Sequence, residues 1–103
     1  PEDALPWQPA RIVDISGGGL RLNQRINIER NEVVKVKFFV SIVGEILQFN
    51  LFARILSSTP VDGRPDMYEQ RMEFLKITQD ERDKIIRFIF ESERMEIANG
   101  KRS

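Results

Sequence analysis

Between Val33 and Leu75, apolar residues recur at every second position in three separate runs, and this period limits the fold more than any other feature. Successive strand side chains point to opposite faces, so each run hides one face and wets the other. In Val33–Val40 the residues Val34, Val36, Phe38 and Val40 share one face, while Lys35 and Lys37 fall on the other. In Leu47–Ile55 the residues Leu47, Phe49, Leu51, Ala53 and Ile55 point inward, with Gln48, Asn50 and Arg54 outward. Met67–Leu75 gathers Tyr68, Gln70, Met72 and Phe74 on one side. Two shorter pieces come first. Arg11–Ile15 alternates only weakly but is rich in β-branched residues, and Leu20 with Leu22 marks one face of a second strand. Val43-Gly44-Glu45 reads as a turn, Asn23–Glu32 as a connection, and Ser57–Pro65, dense in turn formers, as a loop. Five strands with no helix between them predict a mainly β, antiparallel barrel or sandwich.

After Leu75 the period changes. Thr78-Gln79-Asp80-Glu81 fits a capping box, in which a hydroxyl and a carboxylate satisfy free amides at a helix start. Ile85, Ile86, Ile89 and Phe90 then recur at helical spacing, with Phe88 widening the stripe. Glu91, Glu93 and Arg94 carry the helix into solvent, and Asn99-Gly100 stops it. The expected organisation is an N-terminal extension over 1–9, one domain over 10–97 and a tail over 98–103. Trp7, in the proline-rich extension, docks on the domain or offers a stacking surface.

Composition removes several classes of activity. The chain of 103 residues contains neither cysteine nor histidine, so thiolate metal sites, disulfides and the commonest general base are all missing. An enzyme is the weakest reading, for want of a nucleophile–base pair. Sixteen basic and sixteen acidic residues cancel, so no global field draws nucleic acid or an anionic membrane. No apolar run reaches the roughly 18–20 residues of a membrane-spanning helix. We expect a cytoplasmic module trimmed from a longer protein, without cofactor, metal site or membrane insertion.

The chemistry concentrates at Asp14-Ile15-Ser16-Gly17-Gly18-Gly19, a break between the first two strands. Glycine at 17, 18 and 19 lets the backbone adopt positive φ and lets a ligand approach without a Cβ in the way. Asp14 can accept from the N–H edge of a guanine, and Ser16 can donate to a phosphate or base acceptor. Those groups can equally well cap a tight turn. The run is not a P-loop, since no Gly-Lys-Ser/Thr follows, nor a dinucleotide fingerprint, since no helix follows.

The string D-x-S-x-x-G followed by Leu20-Arg21-Leu22 resembles half of the signature of PilZ domains, the bacterial receptors for cyclic diguanylate (cyclic-di-GMP). The resemblance continues through two alternating strands and the acidic-aromatic pair Glu73-Phe74. It extends to Arg82–Glu91, which looks like the closing helix of flagellar-brake PilZ proteins. It covers about residues 10–95. It implies a small Greek-key β-barrel with one C-terminal helix, cyclic diguanylate as ligand, and flagellar motor proteins as partners. Asp14, Ser16, Gly17, Gly18 and Gly19 would form the ligand-binding turn. Family members also carry an R-x-x-x-R string before the turn, and none precedes Asp14 here. Nor does a small residue stand before the acidic-aromatic pair, where Arg71 and Met72 are found.

Other features have plainer readings. The R-x-x-x-R spacing of Arg21 and Arg25 falls after the turn and is expected by chance among this many arginines. Lys35, Lys37 and Arg54 read as a solvated strand face. Phe39 and Phe52, on outward parity, mark an interaction patch or lie beneath the helix, and the second is expected. Asp62-Gly63-Arg64 is a turn, and Asp80, Glu81 and Asp83 suit a helix N-terminus without any metal. Two competitors to the receptor remain. One is a PilZ-like interaction module that binds no nucleotide, and the other is a β-barrel for single-stranded nucleic acid. Few outward aromatics and the neutral charge balance weigh against the second.

Overall fold

A computed structural model describes residues 7–100, with side chains through residue 92. Among these residues five strands follow in chain order: β1 (Arg11–Ile15), β2 (Gly19–Gln24), β3 (Val33–Ile42), β4 (Glu45–Val61) and β5 (Arg64–Leu75). One helix, α1 (Gln79–Gly100), ends the fold. The expected extension over 1–9 and tail over 98–103 thus lie partly outside the described residues, and the helix continues past residue 97.

All five strands form one antiparallel sheet in the order β1-β2-β5-β4-β3. Strands β3, β4 and β5 are a meander, and β2 reaches the far side of β5 through the connection over 25–32. That is the Greek-key arrangement expected from the resemblance. The sheet curls into a half-barrel with β1 and β3 at its edges. Across the opening lies α1, which contacts β3 and rests Arg82 and Ile86 against Gly17 at the opposite edge.

The alternating residues meet inside as expected. Leu20, Leu22, Phe38, Val40, Phe49, Leu51, Ala53, Ile55, Met72 and Phe74 are buried, and Ile85 of α1 joins them at 0% exposure. Phe38 stacks on Phe49 with ring centroids 5.3 Å apart and on Phe74 at 6.1 Å. Burying a side chain of this size contributes about 1.5–3 kcal/mol, so this row fixes the register of β3, β4 and β5. The inward face also hides a polar cluster. Gln70 is fully buried, accepts from the Gln24 amide and donates to the Ile26 carbonyl at 2.8 Å and the Ser58 hydroxyl at 3.1 Å.

Three expectations change. Ser57–Pro65 is not a loop, because β4 and β5 continue as a long hairpin closed by the two-residue turn Asp62-Gly63, with Gly63 at φ +76°. Turn-forming composition lost to pairing with β5. Pro60 is tolerated because β3 pairs with β4 only as far as Arg54, which leaves the other edge of β4 free at that point. Phe39 and Phe52 do not lie beneath the helix: both face solvent, and Lys35 sits over the Phe52 ring at 5.6 Å. The apolar stripe of α1 is also narrower than its spacing suggested. Ile85 is buried, Phe88 and Ile89 pack partly, and Ile86 and Phe90 stay exposed. A helix spanning an opening meets the sheet along a line rather than across a broad face.

The capping box forms as expected. Glu81 accepts from the Thr78 amide at 2.9 Å, and the Glu81 amide donates to the Thr78 hydroxyl at 3.1 Å. Trp7 lies beside β3, with Lys37 Nζ over its ring at 4.9 Å. Among the described residues, no helix is long and apolar enough to cross a membrane.

Candidate functional site

Two β-bulges explain where the polar side chains gather. Between β1 and β2, Ile12 stands opposite Leu22 and Asp14 opposite Arg21, so Val13 is the extra residue. The bulge puts Ile12 and Ile15 on the same face of β1 although they are three positions apart. This is why Arg11–Ile15 alternates so weakly in sequence. A second bulge, in β4, leaves Leu56 unpaired between Ile55, opposite Met72, and Ser57, opposite Arg71. As Arg21 stands opposite Arg71, the outward row Asp14, Arg21, Arg71 and Ser57 runs in register across four strands. The row beneath it, Ile15, Leu20, Met72 and Ile55, belongs to the core.

Three members of this row, Asp14, Arg21 and Arg71, border an open cleft of about 460 Å³ beside the glycine bend. Asp14, Ser16, Gly18 and Gly19 line it, together with Arg21, Leu56, Arg71 and Glu73. The volume falls within the range of small-ligand pockets. Four of the five residues expected in the ligand-binding turn, Asp14, Ser16, Gly18 and Gly19, thus border this cleft. Gly17 faces elsewhere: a Cβ there would meet Arg82 Cγ and the Ile86 side chain at 3.2 Å, so this glycine admits α1 to the bend.

None of Gly17, Gly18 and Gly19 takes the positive φ expected of it; close packing at Gly17 and Gly19, rather than backbone twist, requires glycine. The turn residues do not share one job. The Ser16 amide donates to the Gly19 carbonyl at 2.8 Å, and its hydroxyl donates to the same oxygen at 3.3 Å. That hydroxyl also accepts from the Gly18 amide at 3.3 Å. Ser16 therefore holds the bend closed. Gly19 is dictated by the sheet, because a Cβ would fall 2.0 Å from the Met72 carbonyl oxygen. Gly18 is different. Nothing lies within 4 Å of where its Cβ would stand, and its carbonyl accepts from the Phe74 amide at 2.8 Å. It leaves the cleft wall bare while tying the bend to β5.

Asp14 keeps most of its capacity for a ligand. One carboxylate oxygen accepts from the Ile15 amide at 3.0 Å, the other lies 3.9 Å from Arg21, and the side chain is 71% exposed. Arg21 also reaches Glu69 at 3.7 Å. Such exposed pairs contribute under about 1 kcal/mol and yield readily to a better partner. Arg25 points to a different place and pairs with Asp66 at 3.2 Å, so the Arg21–Arg25 spacing does not form one unit.

Arg21, Arg71 and Glu73 were not singled out as ligand-facing from sequence. Arg71 was visible only as a large residue in a position where a small one was expected, and strand parity alone would have put it outward. What sequence could not give was the bulge at Leu56 that sets this stretch of β4 beside it.

The assembled cleft offers two carboxylates, two guanidinium groups and a bare backbone wall. That donor and acceptor set suits a ligand with both anionic groups and N–H edges. No curated protein and no solved structure matches the chain. A family model does: that of the PilZ domain aligns with residues 2–91, nearly the whole of the described fold. By its strand order, its closing helix and this match, the chain belongs to the PilZ domain family.

Proposed function

We propose that this chain is a receptor module that binds cyclic diguanylate in the cleft beside Ser16–Gly19 and catalyses nothing. The PilZ family is in general a family of cyclic-diguanylate receptors, which supports the ligand class. The observation that carries the reading is Asp14. Its carboxylate stands at the mouth of the cleft, largely solvated, and adds little to the fold. A carboxylate there accepts from the N–H edge of a guanine, Gly18 lets the base approach the backbone, and Arg21 faces its phosphates. Arginines from an R-x-x-x-R string outside these residues would complete the site, and ordering that string on the barrel would be the signal.

In the finer reading the module acts in the cytoplasm on flagellar motor proteins. Its support is the likeness of Arg82–Glu91 to the closing helix of flagellar brakes, together with Ile86 and Phe90, which α1 leaves exposed for a partner. A second reading, an interaction module that binds no nucleotide, draws on Ser16 and Gly19. Both have structural duties that account for them without a ligand.

Calorimetric titration of cyclic diguanylate into this chain, and into a form extended upstream, separates the two. The receptor reading expects binding by at least the extended form, lost in Asp14→Ala while the thermal melt is unchanged. Absence of binding by both forms removes it. Asp14→Ala is a cleaner probe than Ser16→Ala, which also opens the bend.

A further inference from the structure

Arg21 and Arg71 occupy directly opposed positions on β2 and β5, and both line the cleft. Like charges in that relation repel, and they weaken a sheet unless something offsets them. Arg21 is offset by Asp14 and Glu69. Arg71 is not: it makes no ion pair among the described residues, and it is exposed. The Glu73 carboxylate, on the same face of β5, also borders the cleft without pairing it. An unneutralised guanidinium held beside a second one, over a cavity, is a poor design for stability and a good one for an anion.

We propose that Arg71 is a ligand-contacting residue that supplies a guanidinium to a phosphate of the bound cyclic dinucleotide from within the barrel. The proposal rests on the receptor reading above and deepens it. The planar fork of arginine pairs with two phosphate oxygens at once, which a lysine at the same point cannot do. Arg21 flanks the same phosphate, and Asp14, at the other end of the row, is left for a base edge. Ser57, opposite Arg71, closes the row on the β4 side. The residue that departs from the small one expected before Glu73-Phe74 thus adds a cation to the pocket wall.

The test is a series at one position, Arg71→Lys, Arg71→Ala and Arg71→Glu, read by titration with cyclic diguanylate and by thermal melting without it. All are made in whichever of the two forms binds. Affinity is expected to fall in that order, by about tenfold to a hundredfold for Arg71→Ala, the loss of one charge-assisted contact. The melting temperature of Arg71→Ala without ligand is expected to hold or rise, because a repulsion is removed. Opposite signs in the two readouts distinguish ligand contact from structural support. Unchanged affinity in Arg71→Ala, with binding still abolished by Asp14→Ala, overturns the role of Arg71 and leaves the receptor intact. No binding by either unsubstituted form overturns both.

Discussion

The β1–β2 bend and the β3–β4 turn both join antiparallel strands through glycine, yet only the first borders a cleft. At the β3–β4 turn, Val43 and Gly44 both take positive φ, +49° and +80°, and Gly44 has nothing within 4 Å of where a Cβ would stand. Val43 is 75% exposed. That turn closes a hairpin and does not border the cleft. At the bend, Gly17 lies under α1, Gly19 lies against β5, and only Gly18 faces open space, with Asp14 and two arginines beside it. Glycine alone marks a backbone requirement. The candidate site adds the charged row that two bulges assemble beside it.

Substitutions at the two turns test this contrast. Gly19→Ala should have the largest effect, because its Cβ would strike a backbone oxygen that no rotamer change can move. We expect a loss of about 3 kcal/mol, read as a fall of about 10 °C or more in melting temperature. A near-wild-type melt would mean that β2 and β5 are not packed as described. Val43→Asn should go the other way. A β-branched residue at positive φ is strained, whereas Asn-Gly suits a two-residue hairpin turn, so a gain of about 1 kcal/mol is expected in denaturant unfolding. Ligand affinity should not change. Gly18→Ala is the smallest in stability, within about 0.5 kcal/mol, since its φ is not positive and its surroundings are empty. Its methyl group intrudes on the cleft, so affinity should drop although the melt does not. Equal losses in both readouts would make Gly18 another structural glycine and remove half of the contrast.

The barrel was largely legible because its signal is redundant. Val34 to Val40, Leu47 to Ile55 and Tyr68 to Phe74 repeat one period, and each run must find partners for its apolar face. The capping box at Thr78 and Glu81 is similarly local. What escaped was non-local. Ser57–Pro65 carries loop residues, but its pairing to β5 depends on where β3 ends. Ile86 and Phe90 have the spacing of a buried stripe, yet burial depends on how wide an opening α1 covers. The candidate site divides the same way. The bend and Asp14 were readable from six consecutive residues, while Arg21 and Arg71 became cleft residues only through register. Gln70 sits on the correct face by parity, but its partners Gln24 and Ser58 come from two other strands.

Amide shifts of the isotopically labelled protein, followed while cyclic diguanylate is added, measure both turns in one sample. The account predicts saturable changes at Ser16, Gly18, Gly19, Arg21 and Arg71, with Val43 and Gly44 unmoved. Changes confined to another surface, or a flat titration in the upstream-extended form as well, would contradict it.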